Sequence, residues 1–117
     1  MNFDEAINAH SAWKQKLVTY LRRPDGSIDV ASLAADNHCA LGQWIHSQSG
    51  AIASEAKFAE LKREHANFHR LAADIARRAE AGTVFSEEVS LGADSPYAKC
   101  SSCVIQLLMD LKRKMAA

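Results

Sequence analysis

A long amphipathic segment with two histidines constrains the fold of this chain more than any other feature. In residues 54–82, apolar or histidine side chains recur every three or four positions, which is the spacing of one face of an α-helix. This stripe consists of Phe58, Leu61, His65, Phe68, Ala72 and Ile75. Ser54 is suited to cap the helix and Gly82 to end it. The pattern predicts a helix packed against other helices, with His65 inside and His69 at the edge of the buried face.

Residues 2–22 carry a second helical pattern. Asn2 and Glu5 have the spacing of a capping box. Pro24 ends the helix, because proline disfavours helical backbone in the residue before it. The apolar stripe of this helix contains His10, and its other members are Phe3, Ala6 or Ile7, Trp13, Leu17 and Leu21.

Two more helices follow from the remaining sequence. Asn37 is a reasonable N-cap for a short third helix that ends near Gly50. Ser95 followed by Pro96 is a good start for a last helix that runs towards Met115. The stripe of the last helix consists of Tyr97, Cys100, Val104, Leu107, Leu108 and Leu111.

Four helices with short connections predict an all-α fold, an antiparallel four-helix bundle. The connections 27–38 and 83–94 are mixed in character and are expected to add short helical turns. The chain has 117 residues, 48% of them hydrophobic, and only 2 prolines, so residues 1–117 are predicted to form a single domain with a real core.

Charge and cysteine content exclude several classes of protein. Basic and acidic residues both number 14, which leaves no electrostatic argument for a nucleic-acid or anionic-membrane partner. No apolar run approaches the roughly 20 residues of a transmembrane helix, and the start of the chain has no signal-peptide pattern, so we expect a cytoplasmic protein. Three cysteines in a reducing compartment favour thiols or metal ligands over disulfides.

Four side chains are candidates for one metal site. His65 and His69, four residues apart on a helix, place two imidazoles on one face. Alternatively they are two half-buried histidines that form hydrogen bonds within a bundle. Cys39 falls in the first turn of its helix, where the helix dipole favours the metal-binding thiolate. His10 is the other histidine on a core stripe.

The other two histidines are poorly placed for this site. His38 is next to Cys39 in sequence and therefore about 100° round the helix from it. His46 returns to the face of Cys39 only two turns later, roughly 10 Å along the axis.

Three short motifs together resemble the chemoreceptor zinc-binding domain, the CZB family of bacterial chemoreceptors and some diguanylate cyclases. The motifs are His10-Ser-Ala-Trp13, Cys39-Ala-Leu41-Gly42-Gln-Trp44 and His65-Ala-Asn-Phe68-His69. The resemblance covers residues 2–81 and implies zinc ligands at His10, Cys39, His65 and His69. It also implies a chemotaxis or cyclic-di-GMP signalling partner and, by analogy, a homodimer.

The ligand chemistry indicates a regulatory site and not an enzyme. Three imidazoles and one thiolate give zinc a closed tetrahedral shell with no position for an activated water. Ala66 also stands where a zinc-protease helix has its general base. Two functions remain open: a sensor of zinc or of Cys39 oxidation, and a structural or dimerisation module with permanent zinc.

A CxxC motif on the last helix, Cys100 and Cys103, allows a redox pair or a second half-site. No βαβ pattern and no second CxxC accompanies it, so we interpret the pair as two small thiols buried in a helix interface.

Overall fold

The computed structural model describes residues 2–22, 33–35, 39–48, 50–80 and 95–116. Its four helices are α1 (Phe3–Arg22), α2 (Ala40–Ser47), α3 (Ala56–Glu80) and α4 (Pro96–Ala116). No strand occurs among these residues, which confirms the predicted all-α fold. None of the described helices combines the length and hydrophobicity that a membrane span requires.

Contacts between helix ends show that neighbouring helices alternate in direction. Lys112 near the end of α4 pairs with Asp4 at the start of α1 at 2.7 Å, and Lys114 pairs with Glu55 just before α3 at 2.7 Å. The ring of Trp44 in the second half of α2 packs edge-on against Phe3 at the start of α1. The predicted antiparallel bundle is therefore confirmed, with α2 much shorter than the other three helices.

The predicted stripes form the core. α3 and α4 share the largest interface, and α1 packs on both α2 and α4. Phe68 lies at the centre, because its ring contacts His10, Trp13, His69 and Tyr97. Fully buried members of the stripes include Leu17, Leu61, Phe68, Ala72, Val104, Leu108 and Leu111. α1 and α3 meet across this core through their side chains, because His10 and Trp13 of α1 contact the ring of Phe68.

Two of the predicted helix starts are confirmed. The backbone N–H of Glu5 donates to Oδ1 of Asn2 at 2.8 Å, and the N–H of Asn2 donates to Oε2 of Glu5, so the capping box is complete. In α4 the N–H of Ala98 donates to the hydroxyl of Ser95, directly before Pro96.

Two predicted caps are wrong. α2 is capped by Cys39 and not by Asn37, because Cys39 has an extended backbone and its sulfur accepts a hydrogen bond from the N–H of Gly42. Ser54 does not cap α3. Its hydroxyl donates to the carbonyl of Ala51 at 3.0 Å within the preceding turn.

Several predicted features lie partly or wholly outside the described residues. These are the turn at Pro24, the helix end at Gly82 and most of the two mixed connections. Residues 33–35 of the first connection are described, and Leu33 is buried. α2 ends at Ser47, and Gly50 follows in a turn with φ of 76°, a left-handed conformation that glycine adopts without strain.

Candidate metal centre

The histidine pair on α3 forms the base of the site. His65 and His69 are one helical turn apart, and their Nε2 atoms lie 3.2 Å from each other. Both side chains are buried, with 1% and 2% of their surfaces exposed. The prediction that His69 lies at the edge of the buried face is wrong, because the ring of Trp13 and the carbonyl of Leu33 cover it.

Cys39 brings a sulfur atom to the same point from α2. Its Sγ lies 3.4 Å from Nε2 of His65 and 3.3 Å from Nε2 of His69. The N–H of Gly42 donates to this sulfur at 3.2 Å. A helix N-terminus stabilises negative charge, so the position favours the thiolate form of Cys39, which is the form that binds metal. The side chain is half-buried.

These three ligand atoms fit one zinc ion. With ordinary Zn–N and Zn–S bond lengths, a tetrahedral zinc separates two nitrogens by about 3.3 Å and a nitrogen from a sulfur by about 3.6 Å. The observed separations of 3.2, 3.3 and 3.4 Å are close to those values. One thiolate and two imidazoles are also a donor set that suits zinc. Cys39, His65 and His69 are thus positioned to hold a metal ion.

A backbone carbonyl sets the tautomer of His69. Nδ1 of His69 lies 3.0 Å from the carbonyl oxygen of Leu33, which can only accept a hydrogen bond. Nδ1 must therefore carry the proton, and Nε2 presents its lone pair to Cys39 and His65. Outer-shell partners of this kind orient ligand histidines in metal sites. Sequence reasoning missed Leu33, because it acts through its backbone and any residue supplies a carbonyl.

His10 is buried near these three residues but is not part of the cluster. Its Nε2 lies 3.0 Å from the hydroxyl of Ser101 on α4, and its ring packs on Phe68 with centroids 4.6 Å apart. Burial, with smaller contributions from nearby Lys14 and His69, lowers the pKa of His10 to about 4. The imidazole is therefore neutral at pH 7, as a metal ligand must be. Sequence reasoning also missed Ser101, since a lone serine in a helix carries no distinctive signal.

Of the two histidines that were judged poorly placed, the structure describes only His46. His46 is exposed on α2 and does not belong to the cluster. His38 lies outside the described residues.

The CxxC motif of α4 is split between core and surface. Cys100 is buried, and its S–H donates to the backbone carbonyl of Glu64 at 3.2 Å. Burial, with smaller contributions that include Glu64, raises the pKa of Cys100 to about 11. Cys103 is exposed, so the prediction of two buried thiols is right for Cys100 only. Cys103 lies about 60° round the helix from Cys100, on the side opposite to the buried Val104.

Comparison with known proteins identifies the family. The family model described as chemoreceptor zinc-binding domain matches residues 10–76, which is more than half of the 117-residue chain. The match begins at His10 and includes Cys39, His65 and His69. No curated protein and no solved structure gives a significant match. The members of this family are regulatory zinc-binding domains and not enzymes. The chain belongs to the chemoreceptor zinc-binding domain family.

Proposed function

We propose that this protein is a zinc-dependent sensor with His10, Cys39, His65 and His69 as its zinc ligands. The cluster of three ligand atoms supports the cysteine and the α3 histidines. His10 is supported as the fourth ligand by its burial on α1, by its neutral form and by its place at the start of the family match. Zinc bound there supplies a fixed positive charge that keeps Cys39 as a thiolate.

The observation that carries this proposal is the double role of Cys39. Its sulfur caps α2 through the N–H of Gly42 and also meets the histidine pair of α3. A chemical change at this one atom therefore alters both the start of α2 and its attachment to α3. α2 has only 8 residues, and an isolated helix of that length is not stable in water.

The remaining anchors of α2 are few and apolar. Leu41 and Ile45 are buried, and Trp44 packs against Phe3. When zinc leaves or Cys39 is oxidised, these contacts keep α2 near the bundle while its N-terminal end moves. We propose that this movement is the signal.

The proposed input and output of the sensor are taken from the resemblance of the three motifs to the CZB family. Zinc availability or oxidation of Cys39 is the input, and a chemotaxis or cyclic-di-GMP pathway is the output. In the same proposal the protein is a cytoplasmic homodimer and residues 1–117 are one domain.

A structural or dimerisation module with permanently bound zinc is the second candidate. The burial of His65 and His69 favours it, because a buried site releases metal slowly unless the structure opens. The two functions differ in whether zinc can be displaced while the bundle stays folded.

Oxidation with hypochlorous acid separates the two candidates. The oxidant transfers chlorine to the thiolate, and hydrolysis of the resulting sulfenyl chloride gives sulfenic acid and chloride. Zinc release is followed with a chromophoric chelator, the cysteines by mass spectrometry, and helix content by circular dichroism. Because Cys103 is exposed and would also react with the oxidant, the experiment is done in a protein that carries Cys103→Ser.

The sensor proposal predicts that Cys39 is modified before Cys100. It also predicts that zinc is released to the chelator more readily while most of the helix content is retained. If the helix signal collapses together with zinc release, the metal is a structural staple and the sensor proposal is wrong. The same oxidant applied to Cys39→Ser in that background should release no additional zinc.

A further inference from the structure

A hydrogen bond between α1 and α4 lies beside the metal centre without belonging to it. Nε2 of His10 is 3.0 Å from Oγ of Ser101, 91 positions further along the chain. The two side chains are 3% and 2% exposed. A buried polar group without a partner is unfavourable, so this hydrogen bond stabilises both side chains in the arrangement seen here.

While it makes this bond, His10 lies outside the cluster of ligand atoms. The ligand atoms of Cys39, His65 and His69 all lie within 4.8 Å of one another, and His10 is not a member of that group. The His10 ring is nevertheless adjacent, because it packs on Phe68, whose ring also contacts His69. Ser101 thus fixes the position of a ring that lies next to the metal centre.

A neutral imidazole has one nitrogen with a lone pair and one that carries a proton. If Nε2 of His10 accepts the hydroxyl proton of Ser101, that lone pair is the one that would bind a metal. The nitrogen cannot do both at once. Binding of the fourth ligand then requires that the bond to Ser101 breaks.

We propose that Ser101 is a positioning residue that competes with zinc for Nε2 of His10 and so sets the affinity of the fourth ligand position. This inference rests on the proposed function, in which His10 is a ligand. It extends that function to α4, because the serine lies on a helix that supplies no ligand.

The displaced hydroxyl has an alternative acceptor within its own helix. A serine in a helix can donate to the carbonyl four residues earlier, here Tyr97, and such bonds often bend the helix slightly. The ring of Tyr97 stacks on Phe68 at 5.0 Å, close to His10. Loss of the His10 bond would therefore change the first turns of α4 without leaving the hydroxyl unsatisfied.

The test compares zinc affinity, measured by chelator competition, in the intact chain and in two serine variants. Ser101→Ala removes the competitor, so it should bind zinc about twofold to tenfold more tightly, which corresponds to the net strength of one hydrogen bond. Ser102→Ala is the matched control, since Ser102 is the exposed neighbour on the same helix, and its affinity should not change. Unchanged or weaker binding by Ser101→Ala overturns the inference.

Two histidine variants distinguish failure of this inference from failure of the proposed function. His10→Ala should lose zinc affinity, and adding Ser101→Ala to it should have no further effect. If His10→Ala binds zinc like the intact chain, the proposed ligand set is wrong and the inference falls with it. If His10→Ala loses affinity and Ser101→Ala does not gain it, the inference alone is wrong.

The tautomer of His10 can also be measured by NMR in the protein without any substitution. Long-range ¹⁵N–¹H correlation spectra of the metal-free protein report which nitrogen of each histidine carries the proton. The inference requires the Nδ1–H tautomer for His10, with Nε2 accepting the serine proton. An Nε2–H tautomer would mean that His10 donates to Ser101 and that the two do not compete with zinc.

Discussion

At the scale of single residues, burial distinguishes the histidine pair of the metal centre from His46. His65 and His69 are almost completely buried with their Nε2 atoms together, whereas His46 is exposed. Cys39 meets the pair from a second helix. In the proposed sensor, the α3 pair is the fixed half of the site, and Cys39 is the half that oxidation alters.

His65→Ala should reduce zinc affinity by more than the roughly 10-fold to 100-fold that loss of an outer-shell partner causes, because it removes a directly bound nitrogen. His46→Ala and His38→Ala are the controls and should bind zinc nearly as the intact chain does. Chelator competition measures all three. Equal losses in the three variants would show that the helix faces are assigned wrongly.

The two thiols of α4 should differ in reactivity. Cys103 is exposed and should react with iodoacetamide at pH 8, whereas Cys100 is buried with its pKa raised to about 11 and should stay unmodified. Since the thiolate is the reactive form, the rate at Cys100 should rise as the pH approaches 11. Mass spectrometry of peptides from a time course checks this. Faster labelling of Cys100 than of Cys103 at pH 8 would contradict the described burial.

The residues of the cluster, Cys39, His65 and His69, could be predicted from sequence, but the groups that support them could not. His65 and His69 stand out because their spacing matches the helical repeat. Leu33 contributes a carbonyl that every residue has, and Ser101 reaches His10 only through the packing of α4 on α1. Such partners are determined by the tertiary structure and leave no local pattern.

At the scale of helices, α2 is the described helix that begins at the site itself. Its N-cap is a metal-ligand candidate, and its 8 residues contribute only a small apolar face to the core. The long helices α1, α3 and α4 bury side chains along most of their lengths. A change at Cys39 is therefore expected to act on α2 before it acts on the rest of the bundle.

Truncation of Ile45, which is 1% exposed, tests the anchoring of α2. Ile45→Ala should destabilise the protein by about 2–4 kcal/mol if α2 unfolds together with the bundle. It should also weaken zinc binding, because Cys39 is then held less firmly. Urea unfolding at a fixed zinc concentration and chelator competition measure the two effects.

Gln43→Ala is the matched control, since Gln43 is exposed on the same helix. Its stability should change by less than about 0.5 kcal/mol. If Ile45→Ala has the same free energy of unfolding and the same zinc affinity as the intact chain, α2 is not coupled to the site.

The start of α2 shows why helix caps are harder to predict than helices. Asn37 has a side chain that often caps helices, and cysteine is not among the preferred caps. Cys39 takes this position because its sulfur is held at the histidine pair and accepts the N–H of Gly42 there. A contact with another helix thus decides a local feature.

At the scale of the whole molecule, the metal centre joins elements that are far apart in sequence. Cys39 lies on the short helix, His65 and His69 on α3, and the proposed fourth ligand, His10, on α1. The bundle itself could be predicted from the four apolar stripes, because each buries one face of a helix. The alternating directions were also predicted, although the connections 23–39 and 81–95 are longer than those typical of helix bundles.

Zinc should stabilise the fold, because a folded site binds metal more tightly than the unfolded chain. At free zinc 100 times the Kd, the gain is about 2.7 kcal/mol. For a domain of this size, that corresponds to a rise in Tm of roughly ten degrees. Thermal unfolding followed by circular dichroism, with zinc or with a chelator, measures it. Cys39→Ser should show a much smaller rise, and an equal rise would place the metal elsewhere.

The metal content of the purified protein tests the central claim most directly. Protein purified without added metal and analysed by mass spectrometry for elements should contain about one zinc per chain, because thiolate and imidazole donors favour zinc and structural sites of this kind retain it on dilution. The simultaneous replacement of His65 and His69 by Ala should abolish this zinc. A well-folded helical protein that contains iron, or no metal at all, would contradict the account.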